Sequence, residues 1–234
     1  MSGIFIKDIK SYLGNESVSN LKQAKNYKYN IHSLKEKIGF KKLRIEKKVG
    51  SCSYFAIKAI KKLIKNNPNL LSKIKLIVIV SQNQDNFGIP HSSAIVHGKL
   101  GLPSDVACFD IGLGCSGYCY ALSIVSGFMK INRIKNSLLI TSDQYSSILK
   151  PKDKNTKLIF SDASTATWLS NEGEFEIICS DFGTNGKLSG SLSKDKKNKL
   201  SMNGRVIYNF CQEKIPDHIN SFIKKNNISF KNID

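Results

Sequence analysis

An α/β fold, with a mostly parallel sheet and helices on both of its faces, is what this 234-residue sequence predicts. Three observations predict it. Leu76–Val80 reads LIVIV, an uninterrupted apolar run of the kind buried on both faces of a sheet. Runs of strand type alternate with amphipathic helical segments, as in β–α–β winding. Finally, VACFDIGLGCSGYCYALSIVSGFM, Val106 to Met129, places a strand, a glycine-rich turn and an apolar helix in direct succession.

In chain order, Ile4 to Ile9 reads as a first strand, closed by a turn at Tyr12-Leu13-Gly14. Leu21 to Ile38 is lysine-rich, weakly amphipathic and read as helical, and Gly39 to Ile45 as a basic loop. Ser53 is placed as the cap of a helix to Lys65, whose Ala56, Ala59, Ile60, Leu63 and Ile64 form one apolar stripe. Asn67-Pro68 ends it. After the LIVIV strand, Pro90 suits the first turn of a helix that Gly101 terminates. Val106 to Phe109 is the next strand, and a helix starts near Ser116 with Tyr118, Ala121, Leu122, Val125 and Met129 on one face.

Leu138 to Thr141 forms a further strand and Pro151 to Thr156 a loop. Thr165–Leu169 and Phe175–Cys179 read as adjacent strands with the turn at Asn171 to Gly173. Asp181 to Lys199 reads as a mobile loop. Val206–Glu213 and Pro216–Lys225 are two final helices, the second with Pro216 in its first turn.

A net charge of +18 is compatible with polyanionic partners. Yet among 36 basic residues arginine stands only at positions 44, 133 and 205, and arginine is the usual reader of base edges. Solvated lysine surface is therefore preferred to a nucleic-acid site. The six cysteines show no CxxC pair and no metal-ligand spacing, so no metal is expected and free thiols in a reducing cytoplasm account for them. MSGIFIKDIK lacks the long apolar region of an export signal. Ile111 to Met129 is uncharged, but four glycines, three serines and two tyrosines interrupt it, so a buried helix fits better than a membrane span.

Within this frame Cys115 is the candidate nucleophile. It falls at a strand-to-helix turn, where unpaired amides and the partial positive charge of a helix N-terminus favour negative charge on sulfur and on a developing oxyanion. A cysteine between small residues is also a common packing filler, and spacing alone favours that plainer reading. His91 and His97 are assigned ordinary polar or packing roles.

FDIGLGCSGYCYAL resembles the active-site segment of β-ketoacyl-acyl carrier protein synthase III and its thiolase-fold relatives, whose cysteine takes the acyl group. The resemblance extends in order through Ser81-Gln82, Pro90 to Ala94, Leu100 to Leu102, Thr141 to Asp143, Pro151 to Thr156, Leu158 to Ala163 and Met202 to Val206. It implies a thiolase-like fold, with residues 1–170 as the N-terminal half and 171–234 as the start of an incomplete C-terminal half. It implies that Cys115 forms an acyl thioester from acyl-coenzyme A and condenses it with malonyl-acyl carrier protein in fatty-acid or related acyl-chain biosynthesis. Coenzyme A enters as substrate, with no permanently bound cofactor.

By the same resemblance Lys41, Arg44, Lys154, Asn203 and Gly204 contact coenzyme A, although each lysine also reads as an ordinary solvated residue. Where the family has a glycine-rich GDGA, this chain has Ser161-Asp162-Ala163-Ser164, a change at the pocket floor. The family's catalytic histidine and asparagine are expected beyond Asp234, which leaves the chain half of a mechanism and inactive in condensation. A cytoplasmic homodimer, with a second subunit near the Phe87 loop, is implied. The alternatives are a non-catalytic thiolase-like module for a carrier protein or partner subunit, a coenzyme A-dependent O- or N-acyltransferase, and, last, a basic nucleic-acid binder.

Overall fold

The computed structural model describes residues 3–48 and 50–233; Met1, Ser2, Val49 and Asp234, and with them the first two residues of the MSGIFIKDIK segment read above, lie outside. The strands are β1 Phe5–Leu13, β2 Glu16–Ser19, β3 Lys42–Ile45, β4 Leu76–Val80, β5 Ala107–Ile111, β6 Asn136–Gln144, β7 Asp162–Ser170, β8 Phe175–Glu176, β9 Leu192–Lys194 and β10 Leu200–Met202. The α-helices are α1 Asn20–Asn26, α2 Ile31–Ser33, α3 Cys52–Asn66, α4 Leu70–Lys73, α5 Ser92–Lys99, α6 Gly117–Ile131, α7 Lys154–Lys157 and α8 Gly204–Lys225.

Six strands form the central sheet in the order β5-β4-β6-β7-β1-β8. The sheet is mixed: β4 runs parallel to both β5 and β6, while β6–β7, β7–β1 and β1–β8 are antiparallel. Helices cover both faces, giving the expected α/β architecture. The LIVIV strand explains why. Successive side chains point to opposite faces, and all five are buried. Ile77 and Ile79, with Leu138 and Ile140 of β6, pack against Ala56, Ile60 and Leu63 of α3 and Val96 of α5. Leu76, Val78 and Val80, with Leu139, pack against Ala121, Val125 and Met129 of α6. One strand thus feeds two cores, and the apolar stripe read on each helix is the face that it buries.

The departures from the sequence reading have local causes. β1 continues through Tyr12 and Leu13 because, past an irregularity between Ile6 and Asp8, it stays paired with β7 down to Leu13↔Ala163. Leu21 to Ile38 is not one helix: α1 ends at Asn26, and α2 runs into a π-helical turn, Leu34–Ile38, closed by Gly39 at φ +74°. The segment expected as a basic loop contains β3, paired with β2. Ser51, not Ser53, caps α3; its hydroxyl accepts from the Tyr54 amide at 3.2 Å. Pro90 precedes α5, which begins at Ser92. A short α7 occupies part of the loop expected at Pro151 to Thr156.

Phe175–Glu176 does not pair with β7; β1 lies between, and β8 adds to the free edge of that long strand through Phe5↔Glu176 and Ile6↔Phe175. The stretch read as a mobile loop carries β9 and the turn of its hairpin with β10, which follows directly. The two expected final helices are one, with Pro216 inside α8. The missing proline donor faces the carbonyl of solvent-exposed Gln212, which water can satisfy. The boundary expected at 170/171 coincides with the last residue of β7.

Candidate active site

β4 and β5 end level with one another, at Val80 and Ile111, and Thr141 of the longer β6 is in register with them. The loops that leave them therefore open at one edge of the sheet, the place where α/β proteins bind ligands. β4 delivers Ser81 to Gln84, β5 delivers Gly112 to Cys115, and β6 continues to Asp143, Gln144 and Tyr145.

Cys115 is exposed and directly precedes Ser116, the N-cap of the 15-residue α6. Among the described residues the amides of Cys115 and Ser116 have no acceptor, whereas the Gly117 amide donates to the Gly114 carbonyl at 2.8 Å. Gly117 is buried, and a Cβ there would lie 2.5 Å from Val80 Cγ1 and 3.0 Å from Leu113 Cβ. Only glycine lets α6 start this close to β4, so the turn is held tightly against the sheet. The strand also supports its neighbour: the Asp110 carboxylate of β5 accepts the Ser92 and Ser93 amides at 2.7 and 2.9 Å, capping α5 from outside the helix.

A polar group surrounds the turn. Asp143 Oδ1 accepts from Ser81 Oγ at 3.0 Å and from the Gln82 and Asn83 amides at 3.1 and 3.0 Å. Burial nonetheless pushes its carboxyl up to about 6, outweighing those donors and the positive charge of Lys194. Lys194 Nζ reaches across from β9 to donate to the Gln82 carbonyl at 2.9 Å. The Tyr145 hydroxyl donates to Gln82 Oε1 at 2.7 Å, and its ring stacks on Phe160 with centroids 4.7 Å apart. A cleft of about 500 Å³ lies beside Gln82, Asn83, Phe87, Lys194 and Asn198. A larger one, about 590 Å³ and lined in part by Lys73, Lys75 and Arg133, sits at the opposite end of the same strands and shares no residue with this site.

The other residues expected in the site divide into two groups. Lys41 is exposed, just ahead of β3, and Lys154 opens α7 with its ammonium 5.9 Å from the Tyr29 ring centroid. The two segments are tied through Asn20, whose Nδ2 donates to the carbonyls of Phe40 and Leu158. Arg44 is engaged already: its Nε donates to the Gly14 carbonyl at 2.8 Å and its Nη2 to that of Asn15 at 3.2 Å. Asn203 caps α8, its Oδ1 accepting from the Val206 amide, and its own amide donates to Ser191 at the base of the β9–β10 hairpin; Gly204 is the exposed first residue of that helix. Gln82, Asp143, Tyr145 and Lys194 had not been singled out as site residues. The available signal was that Ser81-Gln82 and Ser142-Asp143 each follow a buried apolar strand. Among the described residues no cluster suited to a metal ion occurs.

A family model described as 3-oxoacyl-[acyl-carrier-protein (ACP)] synthase III matches residues 109–186. The chain is 29% identical over 249 residues to the beta-ketoacyl-[acyl-carrier-protein] synthase III of Clostridium novyi (strain NT), a match covering 100% of this chain and 76% of that relative. A 2.1 Å crystal structure of a 3-oxoacyl-(acyl-carrier-protein) synthase III superposes with a TM-score of 0.90 at 26% identity, over 99% of this chain and 77% of that one. The synthase III of Pseudomonas aeruginosa PAO1 shares the fold, with a TM-score of 0.85 at 21% identity over 97% and 72% of the two chains.

Proposed function

We propose that this chain, a β-ketoacyl-[acyl-carrier-protein] synthase III-like protein with a thiolase-like α/β fold, is a condensing acyltransferase of fatty-acid biosynthesis in which Cys115 takes the acyl group from an acyl-coenzyme A. The observation that carries the assignment of Cys115 is its position: exposed, in the turn that leaves β5 for α6, beside two amides that among the described residues have no acceptor.

The chemistry follows from that position. The sulfur attacks the thioester carbonyl, a carbon–sulfur bond forms, and the carbonyl oxygen takes the negative charge. The amides of Cys115 and Ser116, at the positive end of α6, are placed to stabilise it. Collapse of the intermediate breaks the bond to coenzyme A, which leaves as its thiol with the proton lost from Cys115. In condensation the electron pair freed by decarboxylation of a malonyl thioester on acyl carrier protein attacks the Cys115 thioester carbonyl, and the new carbon–carbon bond forms as the carbon–sulfur bond breaks and Cys115 leaves as its thiolate; of these steps the described residues are assigned the acylation half.

Coenzyme A is thus a substrate. Lys41 and Lys154 are assigned to its phosphates because among the described residues neither ammonium has an ion-pair partner and their segments are joined through Asn20; Arg44 supports them by holding the Gly14–Asn15 turn. Asn203 and Gly204 are assigned to the same ligand as the N-terminus of α8. An excess of 36 basic over 18 acidic residues favours encounter with anionic coenzyme A and acyl carrier protein. No described helix is long and apolar enough to cross a membrane, and a cytoplasmic location is part of the proposal. So is a homodimer, supported by Phe87 and Ile89, which stand 85% and 83% exposed on one loop. The division into 1–170 and 171–234 is likewise retained as a proposal.

Incubation with isotopically tagged acetyl-coenzyme A followed by peptide mass spectrometry tests the reading. The expected result is one acetyl group, on Cys115. A folded sample that acquires none would overturn it.

A further inference from the structure

The cleft that adjoins the Cys115 turn through Gln82 is lined mainly by carboxamides, those of Gln82, Asn83, Gln84 and Asn198 among them, with Lys194 and the single apolar ring of Phe87. Gln82 lies against the backbone of the turn: a Cβ on Gly114 would collide with its Oε1 and come within 3.1 Å of Nε2. Its orientation is fixed from three sides. The Tyr145 hydroxyl donates to Oε1, Asp143 accepts the Gln82 amide, and Lys194 donates to the Gln82 carbonyl. Tyr145 itself is clamped by stacking on Phe160. Burial, and after it the nearby Asp143 carboxylate, keep the Tyr145 hydroxyl protonated, so it donates to Oε1 and the carboxamide is left with its NH₂ free to donate. Among the described residues that NH₂ has no acceptor, and Gln82 is exposed to the cleft.

An alkyl chain laid here would strip water from Gln82, Asn83, Lys194 and Asn198 and return no hydrogen bond, an unfavourable exchange for each polar group. An oxygen on the acyl chain would accept from the Gln82 NH₂ instead.

We propose that Gln82, held by Tyr145, selects short acyl groups that carry an oxygen on the carbon β to the thioester, 3-hydroxyacyl groups being the simplest members. The inference rests on Cys115 being acylated by coenzyme A thioesters.

The test compares rates of Cys115 acylation by acetyl-, butyryl-, 3-hydroxybutyryl- and octanoyl-coenzyme A, followed by intact-protein mass. In the wild-type chain 3-hydroxybutyryl should be transferred at least about tenfold faster than butyryl, the same length without the oxygen, and octanoyl slowest. Gln82→Leu should bring the 3-hydroxybutyryl-to-butyryl ratio to one or below. Tyr145→Phe, which keeps the ring stacked but releases the carboxamide, should lower the ratio part of the way, and thermal midpoints establish that both variants are folded. Butyryl equal to or faster than 3-hydroxybutyryl, or a ratio unmoved by Gln82→Leu, overturns the proposal while acetyl labelling of Cys115 leaves the parent reading standing. Absence of any adduct from all four thioesters overturns both.

Discussion

Asp143 Oδ1 accepts the Gln82 amide at 3.1 Å, so a carboxyl on β6 fixes the loop that leaves β4 beside Cys115. Burial raises that carboxyl from its ordinary 3.8 to about 6. A raised folded-state value means the native state holds the proton more tightly than the unfolded chain does. Stability contributed by this group is therefore greatest below about pH 4, falls as pH rises to about 6, and is flat above. The carboxylate keeps a solvated edge, so the loss is on the order of 1–2 kcal/mol. Asp105, Glu172, Asp181 and Asp195 are shifted the other way by their lysine and backbone partners and lose stability as pH falls. The difference between the wild-type chain and Asp143→Asn isolates the one group. Urea unfolding at pH 4, 5, 6 and 7 should show the asparagine variant gaining on the wild type across that interval; parallel curves would contradict it.

Gly117→Ala tests how closely the turn is held to the sheet. The added methyl would meet Val80 Cγ1 at 2.5 Å and Leu113 Cβ at 3.0 Å. Overpacking of this kind costs about 1–3 kcal/mol, and the helix propensity gained by replacing glycine returns at most about 1. A net loss of about 1–2 kcal/mol in denaturant unfolding is expected, with slower Cys115 acylation because the turn must move. An alanine variant as stable and as reactive as the wild type would mean that the contact has no consequence.

Asp162, in the Ser161–Ser164 segment, is fully buried at the start of β7. Its carboxylate accepts the Glu46 amide at 2.8 Å, the Ser146 amide at 2.7 Å and the Ser146 hydroxyl. Asp162→Ala strands the buried Glu46 amide and the half-buried amide and hydroxyl of Ser146, and should cost about 2–3 kcal/mol. Asp162→Asn, which keeps one acceptor oxygen, should cost less. Equal losses for the two would show that the cavity, and not the donors, sets the penalty.

What could be read from the sequence was what depends on neighbours along the chain. LIVIV has no polar side to offer solvent, so its burial on both faces follows from five letters. The stripe Ala121, Val125, Met129 marks the inner face of α6 in the same way, and the glycines around Cys115 mark the turn. Pairing is different. Phe175 has nothing in its own segment to say that its partner is Ile6 and not β7. Lys194 reaches Gln82 across 112 positions, and Tyr145 reaches it across 63. No local pattern encodes such contacts; the register of three parallel strands does. Arg44 has the charge expected of a phosphate ligand, yet the carbonyls of Gly14 and Asn15 hold it, and that too depends on a turn 29 and 30 residues away.

The cysteines provide the last prediction. Cys115, Cys119, Cys179 and Cys211 are exposed, Cys108 is half-buried, and Cys52 is buried in the core beneath α3. Burial pushes the Cys52 thiol up to about 12, and the thiolate is the reactive form. Iodoacetamide at pH 8 should therefore modify the four exposed thiols and spare Cys52 until the chain unfolds. Acyl-coenzyme A should be far more selective: of the exposed four, only Cys115 has free amides beside it at the start of a helix. Cys115→Ser should remove the acyl adduct while shifting unfolding by no more than about 0.5 kcal/mol, as for other exposed substitutions. Cys119→Ser, one helical turn further on, should keep the adduct. If the label followed Cys119 instead, or spread evenly over the four exposed thiols, accessibility alone would govern the reaction and the turn at Cys115 would have no special role.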